Sequence, residues 1–293
     1  MAASDLAEEV PLFAQHPLRQ QLGVVRKKHT EVLEPGIRRQ VMARQQAKQA
    51  LRREVYVLYV QETTEGTKKK EGMPQAIAAM KERGGSIQYV SKHDLNLATD
   101  NKPHQGLMLD CSQLDWEPLE EFPPAENSAL TDGGRPPVWL ALDEIGDPQN
   151  LGAAVRVAYF LGVAGVLCCA RNSAPLSPAT SKASAGALEW LPLHACRSMP
   201  RTLTRAAESG WHIVGAGSEE DAESCRGFAV ARPTILVMGN EGRGLRSVVR
   251  RACETVLRID SAAPGPGRHQ PIGVDSLNVS VATGILLHQL LGS

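Results

Sequence analysis

Short, mostly continuous apolar runs recur through the second half of the chain, at Val138–Ile145, Val163–Cys169, Trp211–Ala216, Thr234–Met238 and Thr255–Ile259. Helical spacing fills most of the gaps between them. A strand that alternates apolar and polar positions has one wet face, whereas one that is apolar throughout is covered on both. The pattern therefore predicts an α/β domain with a parallel sheet and helices on both faces. The first half reads differently. Val55–Val60 is rich in β-branched and aromatic residues and predicts a strand. Gln75–Arg83 carries Ile77 and Met80 at helical spacing, and Gly84-Gly85 ends it. Ser86–Val90 and Gly106–Cys111 are further strands, which together make a small α/β unit.

These runs set the expected boundaries. Residues 1–36 read as a polar arm, and 37–113 as the small α/β domain, opening on a breaker-free helix candidate at Ile37–Arg53. Residues 114–137, rich in Pro, Gly and acid, read as a linker, and 138–293 as the larger domain.

Composition narrows the class without naming it. A chain of 293 residues with 42% hydrophobic and 22% charged residues is ordinary for a globular protein with a sizeable core. It has no apolar run of membrane-spanning length, so no transmembrane helix is expected. The six cysteines form no CxxC pair and no Cys/His ligand spacing. Reduced, mostly buried thiols and no metal are expected. Net charge is zero but unevenly spread: residues 16–53 carry ten Lys/Arg against Glu31 and Glu34. Such asymmetry fits either a polyanion partner or a solvated helix face. Met1–Pro17 has the pattern of neither a signal nor a transit peptide.

Three polar, Gly-bearing segments fall at or just beyond the ends of apolar runs, where ligands of parallel sheets bind. In Asp143–Arg156, Asp147 can cap a helix that starts at Pro148. Gly152 and Arg156 stand four apart on one face. The missing side chain leaves room for a ligand beside the guanidinium; the plainer alternative is a surface ion pair at Arg156. In Leu236–Leu245, three glycines permit close backbone approach to a ligand. The segment is neither GxGxxG nor a P-loop, and Glu241 would repel a phosphate. Beyond it Arg243, Arg246 and Arg250 recur at helical spacing, either as a grip on a phosphate backbone or as a solvated face. In Val274–Leu287, Ser276 and Asn278 stand two apart where a polar loop becomes an apolar helix. Either residue could cap that helix.

The order Asp147-Pro-x-Asn150-x-Gly152-x-x-x-Arg156, Met238-Gly-Asn-Glu-Gly-x-Gly244 and Ser276-Leu-Asn-Val-Ser-Val-Ala282 resembles the SpoU-type branch of the SPOUT RNA methyltransferases. Each segment alone is weak; the three in order are specific. The resemblance covers about residues 138–292, with Ser181–Ala187 as a further family segment. More faintly, Val55–Val60 and Pro103-His104-Gln105-Gly106 look like the family's small L30e-like RNA-binding domain. The likeness is greatest to enzymes that methylate a guanosine ribose in large-subunit rRNA, and among these to mitochondrial members.

The resemblance implies S-adenosylmethionine as methyl donor, a ribose 2′-hydroxyl as acceptor, a C-terminal trefoil knot and a homodimer through the knotted domain. It places the cofactor on Gly215, Gly217, Met238, Gly239, Ile259, Leu277 and Asn278. Asn150, Arg156, Glu241, Ser276 and Asn278 would be catalytic, and His104, Gln105, Arg243, Arg246 and Arg250 candidate RNA contacts. A mitochondrial location follows from the likeness, with a cytoplasmic one as the alternative. An ordinary guanidinium titrates so far above neutral pH that deprotonating it there costs about 7.5 kcal/mol. Arg156 is therefore expected to hold a phosphate or a developing alkoxide rather than to act as base. The loop between Ile259 and Ser276, with Pro264-Gly265-Pro266-Gly267 inside it, is longer than in compact bacterial relatives. The rival readings are a tRNA 2′-O-methyltransferase, a non-catalytic RNA-binding ribosome-assembly factor on the same fold, and a nucleotide-dependent oxidoreductase. The last lacks its GxGxxG fingerprint.

Overall fold

A computed structural model of the chain describes residues 30–32, 52–62, 72–131, 134–219, 221–260 and 276–292. The chain separates into two compact units, Met1–Gln113 and Leu114–Ser293.

The first unit is a four-stranded sheet in the order β1-β4-β2-β3, with β1 at Thr30–Val32, β2 at Val55–Gln61, β3 at Ser86–Val90 and β4 at Leu107–Cys111. Strand β2 runs parallel to β3 and antiparallel to β4. Successive side chains of a strand point to opposite faces, and β2 uses both. Leu58 and Val60 pack with Met73 and Met80 of α1 (Met73–Glu82), while Tyr59 packs with Leu95 of α2 (Lys92–Ala98). Ser91 and Asp94 close a capping box at the start of α2. The expected polar arm thus contains a strand, β1, which pairs antiparallel with β4. The helix expected at Ile37–Arg53 lies almost wholly outside the described residues.

The second unit is an eight-stranded sheet in the order β10-β12-β9-β11-β6-β7-β8-β5. Its strands are β5 (Glu117–Pro118), β6 (Val138–Leu142), β7 (Gly165–Cys169), β8 (Leu193–Cys196), β9 (His212–Ala216), β10 (Glu223–Ser224), β11 (Thr234–Met238) and β12 (Thr255–Arg258). Every pairing is parallel. Both faces are covered, as continuous apolarity requires: all five residues of β7 and of β11 are buried. Leu140, Leu142, Leu236 and Met238 pack against α3 (Pro148–Leu161) and α7 (Val279–Leu291). Ala141, Leu167, Ile213 and Val237 pack on the other side, with α5 (Met199–Glu208) and α6 (Ser247–Arg250).

The second unit begins at Leu114, so the described residues of the segment expected to be a linker belong to it. Leu114 and Phe122 are buried, and β5 adds an edge strand beside β8. Phe122 packs its ring on Trp139 and Trp211 at centroid distances of 5.0 and 5.1 Å. Trp211 Nε1 donates to the Pro123 carbonyl at 2.8 Å. The few large apolar residues hidden among the acids decide the outcome. All six cysteines are buried thiols, as expected.

Candidate active site at the carboxyl edge of the parallel sheet

Because the strands are parallel, the loops after β6, β9, β11 and β12 leave one edge. The chain runs outward from β6 to β7 and β8, then returns to place β11 on the other side of β6. That reversal is the topological switch point where open α/β sheets bind ligands. The first and second motif segments are the loops on its two sides.

Beyond β6 the ladder to β11 continues, with the Asp143 amide donating to the Met238 carbonyl at 2.8 Å. Asp143 is buried and accepts two bonds from one guanidinium, Arg246 Nε to Oδ2 at 2.9 Å and Nη2 to Oδ1 at 2.5 Å. Bonding to this carboxylate raises the Arg246 pKa above its ordinary value. Glu144 then turns the chain with φ 60°, in the left-handed region that a residue with a side chain rarely enters. Asp147 caps α3, accepting from the Gln149 amide, and Pro148 occupies its first turn.

Beyond β11 the chain makes a tight loop. Asn240 and Gly244 exchange two backbone bonds, at 3.0 and 2.8 Å, and Gly242 N–H donates to Asn240 Oδ1. A Cβ on Gly239 would stand 2.3 Å from the Gly244 carbonyl carbon, so only glycine lets the loop close.

The three motif segments meet in a closed triangle of side chains. Asn278 Nδ2 donates to Asn150 Oδ1 and to Glu241 Oε1, each at 2.9 Å. Asn150 Nδ2 donates to Glu241 Oε2 at 3.1 Å. Asn278 Oδ1 in turn accepts from the Ser280 amide at 2.9 Å and from its hydroxyl at 2.6 Å. These contacts fix the amide orientation: a carboxylate only accepts and a backbone N–H only donates. Each Glu241 oxygen holds a donor, and Asn278 is also the N-cap of α7.

Other expected site residues fall elsewhere. Arg156 is exposed on α3 and makes no hydrogen bond or ion pair among the described residues. Gly152 does not leave room beside it. A Cβ there would stand 2.5 Å from Ala183 Cβ and from the Thr180 carbonyl oxygen of α4 (Pro178–Ala183), so the glycine serves helix contact. Gly215 lies inside β9, and a Cβ on it would meet Leu245 and Cys253 at 2.8 and 2.9 Å; its bareness serves core packing. Gly217, Ile259 and Leu277 lie at or beyond strand and loop ends on the carboxyl edge, with Leu277 45% exposed. Met238 is buried at the end of β11, and Ser276 is exposed.

The arginine stripe is not a stripe. Helix α6 is only Ser247–Arg250, so Arg243 lies in the preceding loop. Arg246 is spent on Asp143 and Arg250 on Asp221 at 2.8 Å, which leaves Arg243 as its exposed member. In the first unit, His104 Nδ1 accepts from the Gly106 amide at 3.1 Å, so Nε2 carries the proton that meets Asn96 Oδ1 at 2.9 Å. Gln105 beside it is exposed.

Sequence reasoning missed Asp143, Glu144, Asn172 and Asn240. Asn240 is the one with a local signal, an Asx turn onto the glycine two residues on. Among the described residues no group of His, Cys, Asp and Glu could hold a metal, and no helix is long and apolar enough to cross a membrane.

Residues 137–288 match the family described as "SpoU rRNA Methylase family". Residues 38–116 match "RNA 2'-O ribose methyltransferase substrate binding". The chain is 42% identical over 198 residues to the human protein "rRNA methyltransferase 1, mitochondrial", covering 64% of this chain and 53% of that protein. It thus spans about half the length of the mitochondrial relatives it matches. It is 36% identical over 189 residues to "23S rRNA (guanosine-2'-O-)-methyltransferase RlmB" of Pseudomonas syringae pv. tomato, covering 64% of this chain and 70% of that protein. The fold is shared with an AdoMet-bound rRNA methyltransferase structure from Sinorhizobium meliloti, at TM-score 0.65 and 20% identity over 98% of this chain and 95% of that one. The family match spans more than half of the chain and contains all three segments of the triangle; the chain belongs to the SpoU rRNA methylase family.

Proposed function

We propose that the chain transfers a methyl group from S-adenosylmethionine to the 2′-hydroxyl of a guanosine ribose in large-subunit rRNA. The reading rests chiefly on the triangle of Asn150, Glu241 and Asn278, which joins three distant segments at the switch point of a parallel sheet. The names of the human and Pseudomonas relatives support rRNA as substrate, and the second supports guanosine. Residues 37–113 are read as the RNA-substrate domain, in line with the match over residues 38–116, and 138–293 as the catalytic domain. The mitochondrial relatives support a mitochondrial site of action.

The residues at the sheet edge fit the cofactor. Apolar Leu277 stands exposed directly before Asn278, and Ile259 is half-buried at the end of β12. The Gly217 main chain leaves β9, the strand between β12 and β11. Gly217 N–H donates to the Leu257 carbonyl at 3.0 Å, so the Gly217 main chain and apolar Ile259 leave adjacent strand ends, as a purine site requires. S-adenosylmethionine supplies an electrophilic methyl on a sulfonium centre. The chain's own work is to hold the ribose hydroxyl in line and to stabilise charge as its proton leaves. Asn150, Glu241 and Asn278 hold loop geometry. Arg156, charged and unpaired among the described residues, stabilises the developing alkoxide or grips the neighbouring phosphate.

A homodimer through the knotted carboxyl-terminal domain belongs to the same reading. Helices α3 and α7 expose Phe160 (85%), Val281 (50%) and Ile285 (40%), apolar surface suited to a second copy.

The test is transfer of labelled methyl from S-adenosylmethionine to a large-subunit rRNA transcript, with the site mapped by ribose-methylation sequencing. Labelling of one ribose, lost in Arg156→Ala while S-adenosylhomocysteine still binds, supports the reading. Labelling of a base, or of tRNA alone, or near-normal turnover in Arg156→Ala would sink it.

A further inference from the structure

Glu144 ties three strand ends together. Its left-handed backbone is costly for a side chain-bearing residue, and strain of this kind persists where the surroundings over-determine it. The surroundings do so here. Asn240 Nδ2, from the loop after β11, donates to the Glu144 carbonyl at 3.1 Å. Asn172 Nδ2, from the loop after β7, donates to Glu144 Oε1 at 2.9 Å. Arg246 Nε lies 3.4 Å from the same oxygen while the guanidinium holds buried Asp143.

Of the three loops that meet at Glu144, its own and the one after β11 lead to two corners of the triangle. Three residues further on, Asp147 starts α3 and so places Asn150; one residue beyond Asn240 stands Glu241. We infer that Glu144 is a positioning residue for methyl transfer: it sets the separation of the Asn150 and Glu241 loops without touching the reacting groups. The inference rests on the methyltransferase reading for its activity arm, and on the backbone and side-chain contacts of Glu144 alone for its exchange arm.

Two substitutions separate positioning from mere structural support. Glu144→Gly removes both the steric cost of positive φ and the carboxylate contacts to Asn172 and Arg246. Positioning predicts an unchanged or raised Tm, kcat lower by about 10–100-fold, and faster amide hydrogen exchange in residues 239–245. Glu144→Gln keeps an acceptor oxygen for Asn172 and Arg246 and should recover most of the turnover and the slow exchange. The inference is overturned if Glu144→Gly turns over like wild type with unaltered exchange. It is also overturned if Tm, kcat and exchange worsen together in both variants, which marks a structural prop. If wild type itself transfers no methyl group, the functional reading fails. The exchange comparison still decides whether Glu144 orders the loop.

Discussion

Arg246 grips Asp143 through two parallel hydrogen bonds although the carboxylate is only 1% exposed. A buried charge pair of this kind adds little net stability, but removing one partner strands the other. Arg246→Ala should therefore destabilise the second unit by about 3–5 kcal/mol, read as a lowered urea midpoint at constant slope. Arg246→Lys should recover only part, because an ammonium cannot reproduce the two-pronged geometry. If the arginine instead served RNA, both variants would unfold like wild type and lose RNA affinity.

Gly152 makes a second case in which packing explains what chemistry was expected to. Thr180 and Ala183 of α4 occupy the space where its side chain would be. Gly152→Ala should cost about 1–3 kcal/mol through overpacking, lowering Tm by several degrees. Gly152→Ala combined with Ala183→Gly should recover part of the loss, which a ligand-clearance role would not predict. Differential scanning calorimetry of the two variants decides it.

The contrast between those residues and the triangle explains how much was legible in the sequence. Continuous apolar runs such as Thr234–Met238 signal a doubly covered strand whatever surrounds them, and β11 is buried throughout. Asn150, Glu241 and Asn278 could be named because their three segments stand in the order and spacing of the resembled family; that they meet in one triangle is what the fold adds. The roles of Arg246 and Gly152 were not legible, because their partners Asp143 and Thr180 are brought to them only by the folded sheet. The packing of Leu114 and Phe122 was missed because they stand among many acids, and the two-residue β5 has no periodicity to detect.

The loop after β11 depends on Gly239 in a way open to test. A methyl group there would meet the Gly244 carbonyl carbon and oxygen at 2.3 and 2.4 Å, backbone atoms that cannot swing aside. Gly239→Ala should open the loop and break the Asn240–Gly244 pairing while leaving β11 in place. Calorimetric titration with S-adenosylhomocysteine should show affinity reduced at least about tenfold, one decade being 1.4 kcal/mol, and far-ultraviolet circular dichroism unchanged. Unaltered affinity would mean the loop is not part of the cofactor site.

His212 supplies a pH dependence. Burial lowers its pKa below the ordinary 6.5, and its Nε2 lies 3.0 Å from Thr255 Oγ1. The folded state therefore binds this proton less readily than the unfolded chain. The contribution is intact above about pH 6.5 and is lost as pH falls from there through the lower folded value. Wild-type Tm should decline over that interval, and His212→Gln should flatten part of the decline. Equal slopes in the two proteins would rule His212 out as a source.

Asn278 holds two positions at once, and they can be pulled apart. Its Oδ1 caps α7 by accepting from Ser280, while its Nδ2 closes the triangle with Asn150 and Glu241. Serine is a good N-cap but offers no amide donor, and alanine offers neither. Asn278→Ser should keep wild-type stability, whereas Asn278→Ala should lose about 0.5–2 kcal/mol, the usual worth of a cap. Methyl transfer should fall steeply, and to a similar extent, in both, because both leave Asn150 Oδ1 and Glu241 Oε1 without their donor. Thermal melts and single-turnover rates on the same preparations give the two readouts. Should Asn278→Ser turn over normally, the residue is a helix cap and the triangle is an accident of capping; should it lose activity at full stability, the amide belongs to the site.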